Sequence, residues 1–227
     1  MTTRLFSFSL LLVLSCAASS YAQDFRQLLK DMRERYHGAT SLHITMDIRV
    51  FENSISSKPF YEDRAEIMKS DENYSYHLRN TELLMNSRYL IVVSKEEKQV
   101  ICIRSDSKDR SAYQKKFNIN IDSMLNLFVS PVFLGNEKGV DHYQILQQDN
   151  EVRQIDFYIN SEKKFFQRLE YRYVRGQMAL INFEKFETEI QFPGDTFDEG
   201  RYLVVVDGKQ RLTKAFSGYE LIEQSEN

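Results

Sequence analysis

The sequence is poor in residues that interrupt or cross-link a fold: among 227 residues it has 3 prolines, 2 cysteines and no tryptophan. Scarce proline leaves long stretches free to form strands, because proline removes a backbone donor from a sheet. If Cys16 leaves with an N-terminal leader, Cys102 is the remaining thiol, and no disulfide can form within the chain. Stability must then come from an apolar core.

The chain also lacks the short motifs of common catalytic and metal sites. It has no Gly-x-Ser-x-Gly, no phosphate-binding loop, no His-Glu-x-x-His and no paired Cys-x-x-Cys. His37, His43, His77 and His142 have no metal-ligand spacing, and we expect them to be exposed to solvent. Cys102 lies between two isoleucines, which is typical of a buried, inert thiol. We therefore expect no enzyme activity, no catalytic residue, no metal and no cofactor.

No excess of positive charge and no second long apolar run is present. The 30 basic and 33 acidic residues give a formal net charge of −3, and the two signs are interleaved along the chain. Nucleic acid is therefore an unsuitable partner. Charged and apolar residues, at 28% and 42%, are typical of a globular domain. We expect the mature chain to be soluble, without a transmembrane segment.

The N-terminus has the pattern of an export signal. Arg4 precedes an apolar run over residues 5–14, and Ser20 and Ala22 put small residues at the cleavage-specifying positions. The apolar run is too short to span a bilayer comfortably. The sequence therefore predicts a signal peptide at residues 1–22, a mature chain from Gln23, and the periplasm as the destination.

A second interpretation of the N-terminus rests on Val13-Leu14-Ser15-Cys16, which resembles the lipobox of bacterial lipoproteins. In that case Cys16 carries a lipid and the protein is membrane-anchored. Leu14 stands where the motif usually has a smaller residue. Secretion beyond the envelope is the other alternative left open by an export signal.

Alternation of apolar and polar residues predicts a mainly antiparallel β fold. The clearest strand has apolar residues at every second position from Leu42 to Val50, with polar residues such as Thr45 between them. Abundant tyrosine and phenylalanine, at 13 and 16 residues, add strand propensity. Further strands are predicted at residues 61–69, 74–78, 82–85, 89–93, 99–104, 140–147, 155–159, 165–174, 178–188 and 202–206.

Two segments read as helices. Residues 24–36 repeat apolar side chains at helical spacing before Gly38 ends the pattern, and residues 122–128 form a shorter candidate closed by Pro131. Residues 136–139 are interpreted as a loop between two groups of strands. We expect a single domain.

The order is thus a helix, a run of strands, a short helical crossing and a second run of strands. This order resembles the periplasmic outer-membrane lipoprotein carriers, the LolA-like family, over residues 23 to 205. The segments that carry the resemblance are Gln27-Leu28-Leu29 to Tyr36, the strand from Leu42, and the closing segments 155–159, 169–173, 181–186 and 192–197. The family's Lys-Arg-Pro turn after the second strand is replaced by Lys69-Ser70-Asp71, so the arginine linked to lid opening has no counterpart.

The resemblance implies a mainly β, α+β fold: a strongly curved, incomplete antiparallel barrel with the N-terminal helix and a short mid-chain helix packed on its open concave side. It also implies that lipoprotein acyl chains or another apolar ligand lie in the cavity between. The expected organisation is a signal peptide at 1–22, a half-barrel domain at 23–206, and a C-terminal extension at 207–227 that adds a further strand.

Alternation selects the residues that would line such a cavity. Burial of each methylene contributes about 0.8 kcal/mol, so an acyl chain would bind such a surface favourably. Plain core packing also produces an alternating apolar face, and the shape of the assembled surface must separate these alternatives. The predicted lining residues are Leu29, Met32, Met46, Ile48, Tyr76, Leu78, Met85, Leu125, Phe128, Phe157, Tyr171 and Phe183.

The sequence therefore favours an exported, non-enzymatic carrier or chaperone for lipoprotein acyl chains or another lipid. The alternative is an envelope interaction module that uses the same scaffold with a filled core. It would bind another envelope protein through an edge strand or through the segment after Val206.

Overall fold

The structure is a computed structural model that describes residues 25–36, 38–104, 131–147 and 151–224. Helix α1 covers residues 25–36. Phe25, Leu29 and Met32 are buried in it because their spacing places them on one face. The N-terminal helix is therefore confirmed. The predicted signal peptide, Cys16 and the predicted helix at residues 122–128 lie outside the described residues.

Fourteen strands account for most of the described chain. Every strand predicted from alternation is present, with ends shifted by a few residues. The strands are β1 (Ser41–Phe51), β2 (Tyr61–Ser70), β3 (Asn73–Leu78), β4 (Thr81–Met85), β5 (Tyr89–Ser94), β6 (Gln99–Arg104), β7 (Val132–Glu137), β8 (Val140–Leu146), β9 (Val152–Asn160), β10 (Phe165–Tyr173), β11 (Met178–Thr188), β12 (Leu203–Val206), β13 (Lys209–Leu212) and β14 (Glu220–Gln224). Short 3-10 helices occupy Glu199–Arg201 and Lys214–Phe216.

Twelve of these strands pair in the order β14-β6-β5-β4-β3-β2-β1-β11-β10-β9-β8-β7, while β12 and β13 form a separate hairpin. Among the described residues, β14 and β7 are the two end strands, so the sheet is open rather than closed. Most of the pairing between consecutive strands is antiparallel. The predicted fold class, mainly antiparallel β with a few helices and an unclosed sheet, is confirmed.

The chain divides into two compact units. Unit 1 contains three groups of described residues: the residues up to Gly38, the segment Ile48–Glu62, and the residues from Pro131 to Phe183. Unit 2 holds Ala39–Asp47, those from Asp63 to Arg104 and those from Glu184 onward. Each unit has its own apolar core.

One prediction about the strands is wrong. Residues 136–139 do not separate two groups of strands; Lys138 and Gly139, both with positive φ, form the tight turn of a hairpin between β7 and β8. Within this mainly antiparallel sheet, β14 pairs with β6 in parallel, from Glu220 beside Gln99 onward.

Strict alternation also fails at two positions. A bulge in β10 lies between Phe166 and Arg168 and moves Phe166 to the same face as Leu169, against the core. In β1, Thr45 was predicted on the solvent face and is 3% exposed. Its hydroxyl oxygen is buried without a hydrogen-bond partner.

Candidate functional site

Helix α1 packs on one face of β8, β9 and β10 in unit 1. The Phe25 ring lies 4.7 Å from the ring of Tyr143 and 5.5 Å from that of Phe157, measured between centroids. Lys164, in the turn before β10, donates a hydrogen bond of 2.6 Å to Asp31 of the helix. Hydrogen bonds from Lys164 and Gln27 lower the pKa of Asp31. The helix is thus held to the sheet by both aromatic and ionic contacts.

Several apolar side chains around this core are only half-buried. Phe166 lies 6.1 Å from Phe157 and 5.9 Å from Phe183, ring to ring. Tyr171 and Ile181 pack against the same core, and burial raises the pKa of the Tyr171 phenol. This half-buried set leaves apolar surface on β10 and β11 for further contacts.

Unit 2 carries a second apolar surface on one face of β3, β4, β5 and β6. Cross-strand register aligns its side chains in two neighbouring rows. The first row is Tyr76, Leu83, Val92 and Ile101, and the second is Tyr74, Met85, Leu90 and Ile103. We call these eight residues the two-row surface. Since neighbouring strands are about 4.8 Å apart, each row is about 14 Å long.

The two-row surface is buried in part. Leu83, Met85, Leu90 and Ile103 are buried, while Tyr74, Tyr76, Val92 and Ile101 are half-buried and pack against them. Ile222 of β14 is in register with Ile101 and continues the first row. The half-buried members are the part of this surface that remains accessible to solvent.

The opposite face of β4, β5 and β6 is apolar as well. Its buried side chains are Leu84, Ile91, Val93, Val100 and Cys102. The C-terminal segment packs on this face through Tyr202, Leu203, Leu212, Phe216, Tyr219 and Leu221. A sheet that is apolar on both faces needs both faces covered. The C-terminal segment provides the cover for one of them.

The structure divides the predicted lining residues into several groups. Leu29, Met32 and Phe157 belong to the buried core of unit 1, with Tyr171 and Phe183 packed against it. Met85 and Tyr76 belong to the two-row surface of unit 2. Met46, Ile48 and Leu78 are half-buried strand residues of β1 and β3. Leu125 and Phe128 lie outside the described residues.

The face of β8 and β9 that points away from α1 is polar and closely hydrogen-bonded. Asp156 is 2% exposed and accepts hydrogen bonds from Gln144 and Gln154, at 3.0 and 2.6 Å. His142 Nε2 lies 2.9 Å from the same carboxylate. Burial opposes ionisation of Asp156, but these hydrogen bonds outweigh it and lower its pKa.

Tyr158, the next residue on this polar face, lies between two cross-strand neighbours. Its ring stacks on His142 with 4.3 Å between centroids, and the guanidinium carbon of Arg168 is 3.8 Å from its ring centre. Arg168 Nε is also 3.2 Å from Glu170. The glutamate therefore separates Arg168 from Arg172, which it contacts at 3.4 Å, and no uniform basic patch forms on this strand.

A cavity of about 770 Å³ adjoins this stack. We call it the hairpin cavity, because the β7–β8 hairpin supplies much of its lining. It is lined by Leu134, Gly135, Asn136, Glu137, Lys138, Val140, His142, Tyr158, Gln167, Arg168 and Asn182. Its volume suits a small ligand or several side chains of a peptide.

A second cavity, of about 570 Å³, lies beside the β12–β13 hairpin and includes Tyr89, Cys102 and Gln210 in its lining. Cys102 is nevertheless only 3% exposed. Burial, with a smaller contribution from the charge of Glu223, raises the pKa of the Cys102 thiol to about 11. The prediction of a buried, unreactive thiol agrees with this environment.

The expectation that the histidines are exposed is wrong for those the structure describes. His43 is half-buried and lies 2.8 Å from Glu66, and His142 contacts Asp156. The Nε2 atom of His77 is buried without a hydrogen-bond partner. They are less exposed than predicted because each lies on a strand flanked by long side chains. Within the described ranges, no cluster of three His, Cys, Asp or Glu side chains could hold a metal ion.

Sequence reasoning missed the two-row surface as a unit and the covering of the opposite face of β4 to β6 by the C-terminal segment. The signal that could have revealed them is the uninterrupted apolar character of Leu83-Leu84-Met85, Leu90 to Val93 and Val100 to Ile103. A continuous apolar run indicates a strand buried on both faces, whereas alternation indicates one wet face.

Comparison with protein-family models and with curated protein sequences finds no match. Solved structures similar to this chain include the LolA superfamily protein NE2245 from Nitrosomonas europaea, with 14% identity, 79% of this chain and 98% of that chain covered, and a TM-score of 0.33. LprF from Mycobacterium bovis has 13% identity over 76% of this chain and 97% of that chain, with a TM-score of 0.42.

A third similar structure is the MucA/MucB complex of Pseudomonas aeruginosa, with 13% identity, 84% of this chain and 63% of that chain covered, and a TM-score of 0.44. The family named from the sequence pattern is thus among those with similar solved structures. In the described part of the chain, no helix has the length and apolar character that a membrane-spanning helix requires.

Proposed function

We propose that this protein is an exported, non-enzymatic carrier that binds the acyl chains of a lipoprotein, or another lipid, in the periplasm. The observation that carries the proposal is the two-row surface: β4, β5 and β6 are apolar on both faces, and the C-terminal segment accounts for one of them. An acyl chain along the other face would contact the half-buried Tyr76, Val92 and Ile101.

The dimensions and chemistry of this surface suit an extended hydrocarbon chain. Each row runs for about 14 Å across the strands without a charged side chain. About 0.8 kcal/mol per buried methylene makes such a contact strong once several methylenes are covered. Met85 contributes an unbranched, adaptable side chain to the surface. The half-buried Phe166, Tyr171 and Phe183 of unit 1 offer a second apolar contact area.

The test is organic extraction and mass spectrometry of the mature chain, produced from Gln23 behind an exporting signal and purified without detergent. We expect a lipid or acylated peptide in near-stoichiometric amount. Ile101→Glu should lose it, because the carboxylate lies on the first row, while Ile101→Val should retain it. Ile55→Glu is the charge control, since Ile55 is 90% exposed.

Urea unfolding of the same variants separates lost binding from lost folding. If folded Ile101→Glu keeps its lipid, the assignment of the two-row surface is wrong. If the wild-type chain carries no lipid and binds no added fluorescent fatty acid, the carrier function fails. That result would favour the alternative, an interaction module with a filled core.

A further inference from the structure

A single row of side chains crosses five neighbouring strands of unit 1 on the polar face of the sheet. His142 of β8 lies opposite Tyr158 of β9, and Arg168 of β10 lies opposite Tyr158 on one side and Asn182 of β11 on the other. At the other end of the row, Gly135 of β7 lies opposite His142. Four strand spacings of about 4.8 Å make this row about 19 Å long. We call it the five-strand row.

Two strands of the five-strand row carry a β-bulge at this position. In β7 the extra residue is Leu134, beside Gly135. In β10 the extra residue is Gln167, beside Arg168. A bulge sets two residues of one strand against one residue of its partner, bends the strand and re-aims a side chain. Leu134 and Gln167 thereby join the row as additional members.

The hairpin cavity coincides with the five-strand row. Every member of the row, including both bulged residues, lines this cavity. Asn136, Glu137, Lys138 and Val140 of the β7–β8 hairpin complete the lining. Bulges are over-represented next to active sites, where they aim side chains. Two bulges that open on one cavity therefore indicate a binding site rather than an accidental gap between strands.

The aromatic centre of the row is held in place by its neighbours. His142 Nε2 lies 2.9 Å from the buried carboxylate of Asp156, and the His142 ring stacks on Tyr158. The guanidinium of Arg168 lies over the Tyr158 ring at 3.8 Å, and Arg168 Nε is 3.2 Å from Glu170. A ligand in the cavity therefore meets side chains whose orientations are already fixed, which lowers the entropic cost of binding.

Charge does not select the ligand of this cavity. The positive charge of Arg168 is offset by Glu170, and Lys138 directly follows Glu137 in the chain. The charges in and beside the lining are thus balanced, and neither an anion nor a cation gains a net Coulombic attraction. The other polar groups of the lining are side-chain amides, a phenol and an imidazole.

These groups fit a ligand that is rich in hydroxyls. The primary amides of Gln167 and Asn182, on neighbouring strands, each offer two N–H donors and a carbonyl acceptor beside the guanidinium of Arg168. Planar groups of this kind can form hydrogen bonds to two adjacent hydroxyls at once. Leu134 and Val140 add aliphatic surface, which suits the C–H faces of sugar rings. A row of about 19 Å suits a chain of sugar units better than a single one.

From these observations we propose that unit 1 binds a neutral oligosaccharide in the hairpin cavity, along the five-strand row, with the amides of Gln167 and Asn182 as hydrogen-bonding groups. The fixed aromatic centre shapes the floor of the site, and the β7–β8 hairpin forms its wall. This site is independent of the two-row surface, because all of its residues belong to unit 1.

The test uses the mature chain from Gln23, titrated with three neutral trisaccharides: triacetylchitotriose, maltotriose and cellotriose. Two-dimensional NMR spectra follow the side-chain amide signals of Gln167 and Asn182, which are assigned by their loss in Gln167→Met and Asn182→Leu. We expect at least one trisaccharide to bind with a Kd below about 1 mM and to shift both signals. The Kd should stay within about twofold between low and high salt, because no net charge takes part.

Gln167→Met and Asn182→Leu keep a side chain of similar size and remove the amide, so each should weaken binding about tenfold. Gln177→Met is the matched control, because Gln177 is exposed in the turn between β10 and β11 and does not line the cavity. It should bind like the wild type. An equal loss in all three variants would overturn the assignment of the two amides.

The class of ligand is tested with a charged sugar. Trigalacturonic acid should bind no more tightly than the best neutral trisaccharide, because the charges around the cavity are balanced. A clear preference for the charged sugar, or failure of all three neutral trisaccharides to bind, would overturn the proposal. Neither result bears on whether the chain carries a lipid.

Discussion

The hydroxyl of Tyr202 donates a hydrogen bond of 2.9 Å to the carboxylate of Glu82, a residue 120 positions earlier in the chain. Lys95 and Arg201 contact the same carboxylate at 2.7 and 3.3 Å. Tyr202 is 1% exposed and packs in the apolar core of unit 2. This contact therefore joins the C-terminal segment to the run of strands from β3 to β6 by a partly buried hydrogen bond.

Tyr202→Phe should lower the free energy of unfolding by about 1–2 kcal/mol, because a half-buried carboxylate loses a hydrogen-bond donor. Urea unfolding followed by circular dichroism measures the change. Tyr219→Phe is the control, since Tyr219 packs in the same core and no hydrogen bond of its hydroxyl is described. Similar losses in both variants would mean that the bond to Glu82 adds nothing.

Stability should fall in acid. Burial opposes ionisation of Glu82 and Asp156, but their hydrogen bonds outweigh it, and both pKa values lie below the ordinary values of 4.5 and 3.8. A carboxyl group with a lowered pKa stabilises the fold above its unfolded-state pKa and loses that contribution as pH falls toward its folded-state pKa. We expect urea midpoints to be level above about pH 5 and to decrease below about pH 4.

Asp156→Asn provides the check on that pH dependence. The variant should be less stable than the wild type at pH 7 and should lose less stability between pH 5 and pH 3. Glu162→Gln, at an exposed position, should leave the wild-type profile unchanged. If the stability of the Asp156→Asn variant falls with pH as steeply as that of the wild type, other carboxylates dominate the acid destabilisation.

Cys102 should react slowly while the protein is folded. With a pKa of about 11 and 3% exposure, it presents little thiolate to a reagent at pH 8. Labelling with Ellman's reagent should be at least about 100-fold slower than for the unfolded chain, because the thiolate fraction and the access both fall. A chain that starts at Gln23 avoids interference from Cys16. Rapid labelling of the folded chain would show that the cavity beside Cys102 admits the reagent.

Phe216→Ala and Leu221→Ala should each destabilise the protein by about 1–3 kcal/mol, because their half-buried side chains cover the apolar core of unit 2. Val205→Ala should have little effect, since Val205 is 69% exposed. Thermal unfolding of the three variants gives the comparison. If Phe216→Ala and Leu221→Ala lower the stability no more than Val205→Ala does, the C-terminal segment is not an integral part of unit 2.

Alternation located the strands because the buried face of a strand repeats every second residue. Helical spacing located α1 because the buried face of a helix repeats about every 3.6 residues. Alternation could not place Phe166 on the correct face, because a bulge adds one residue to β10 and reverses the alternation beyond it. Nor could it find the parallel pairing of β14, since pairing between distant strands leaves no local signal in the sequence.

The candidate site was predicted only in fragments. Met85 and Tyr76 were assigned to the lining, but their membership of two ordered rows depends on the register of four strands. Arg168 was not among the predicted site residues, and its ion pair with Glu170 joins two residues of the same strand. The position of Arg168 beside the hairpin cavity depends on Tyr158, whose strand β9 pairs with β8, and on the turn at Gly139. Together they bring residues that are distant in the sequence around one cavity.

The parallel pairing of β14 with β6 also fixes an order of events during synthesis. Gln99 and Glu220, which adjoin in this pair, are separated by 121 positions. The ribosome must therefore complete the whole intervening chain before the edge of β6 can be covered. Until then the apolar face of β4 to β6 that the C-terminal segment covers stays exposed in the nascent chain, and exposed apolar surface of this kind favours aggregation.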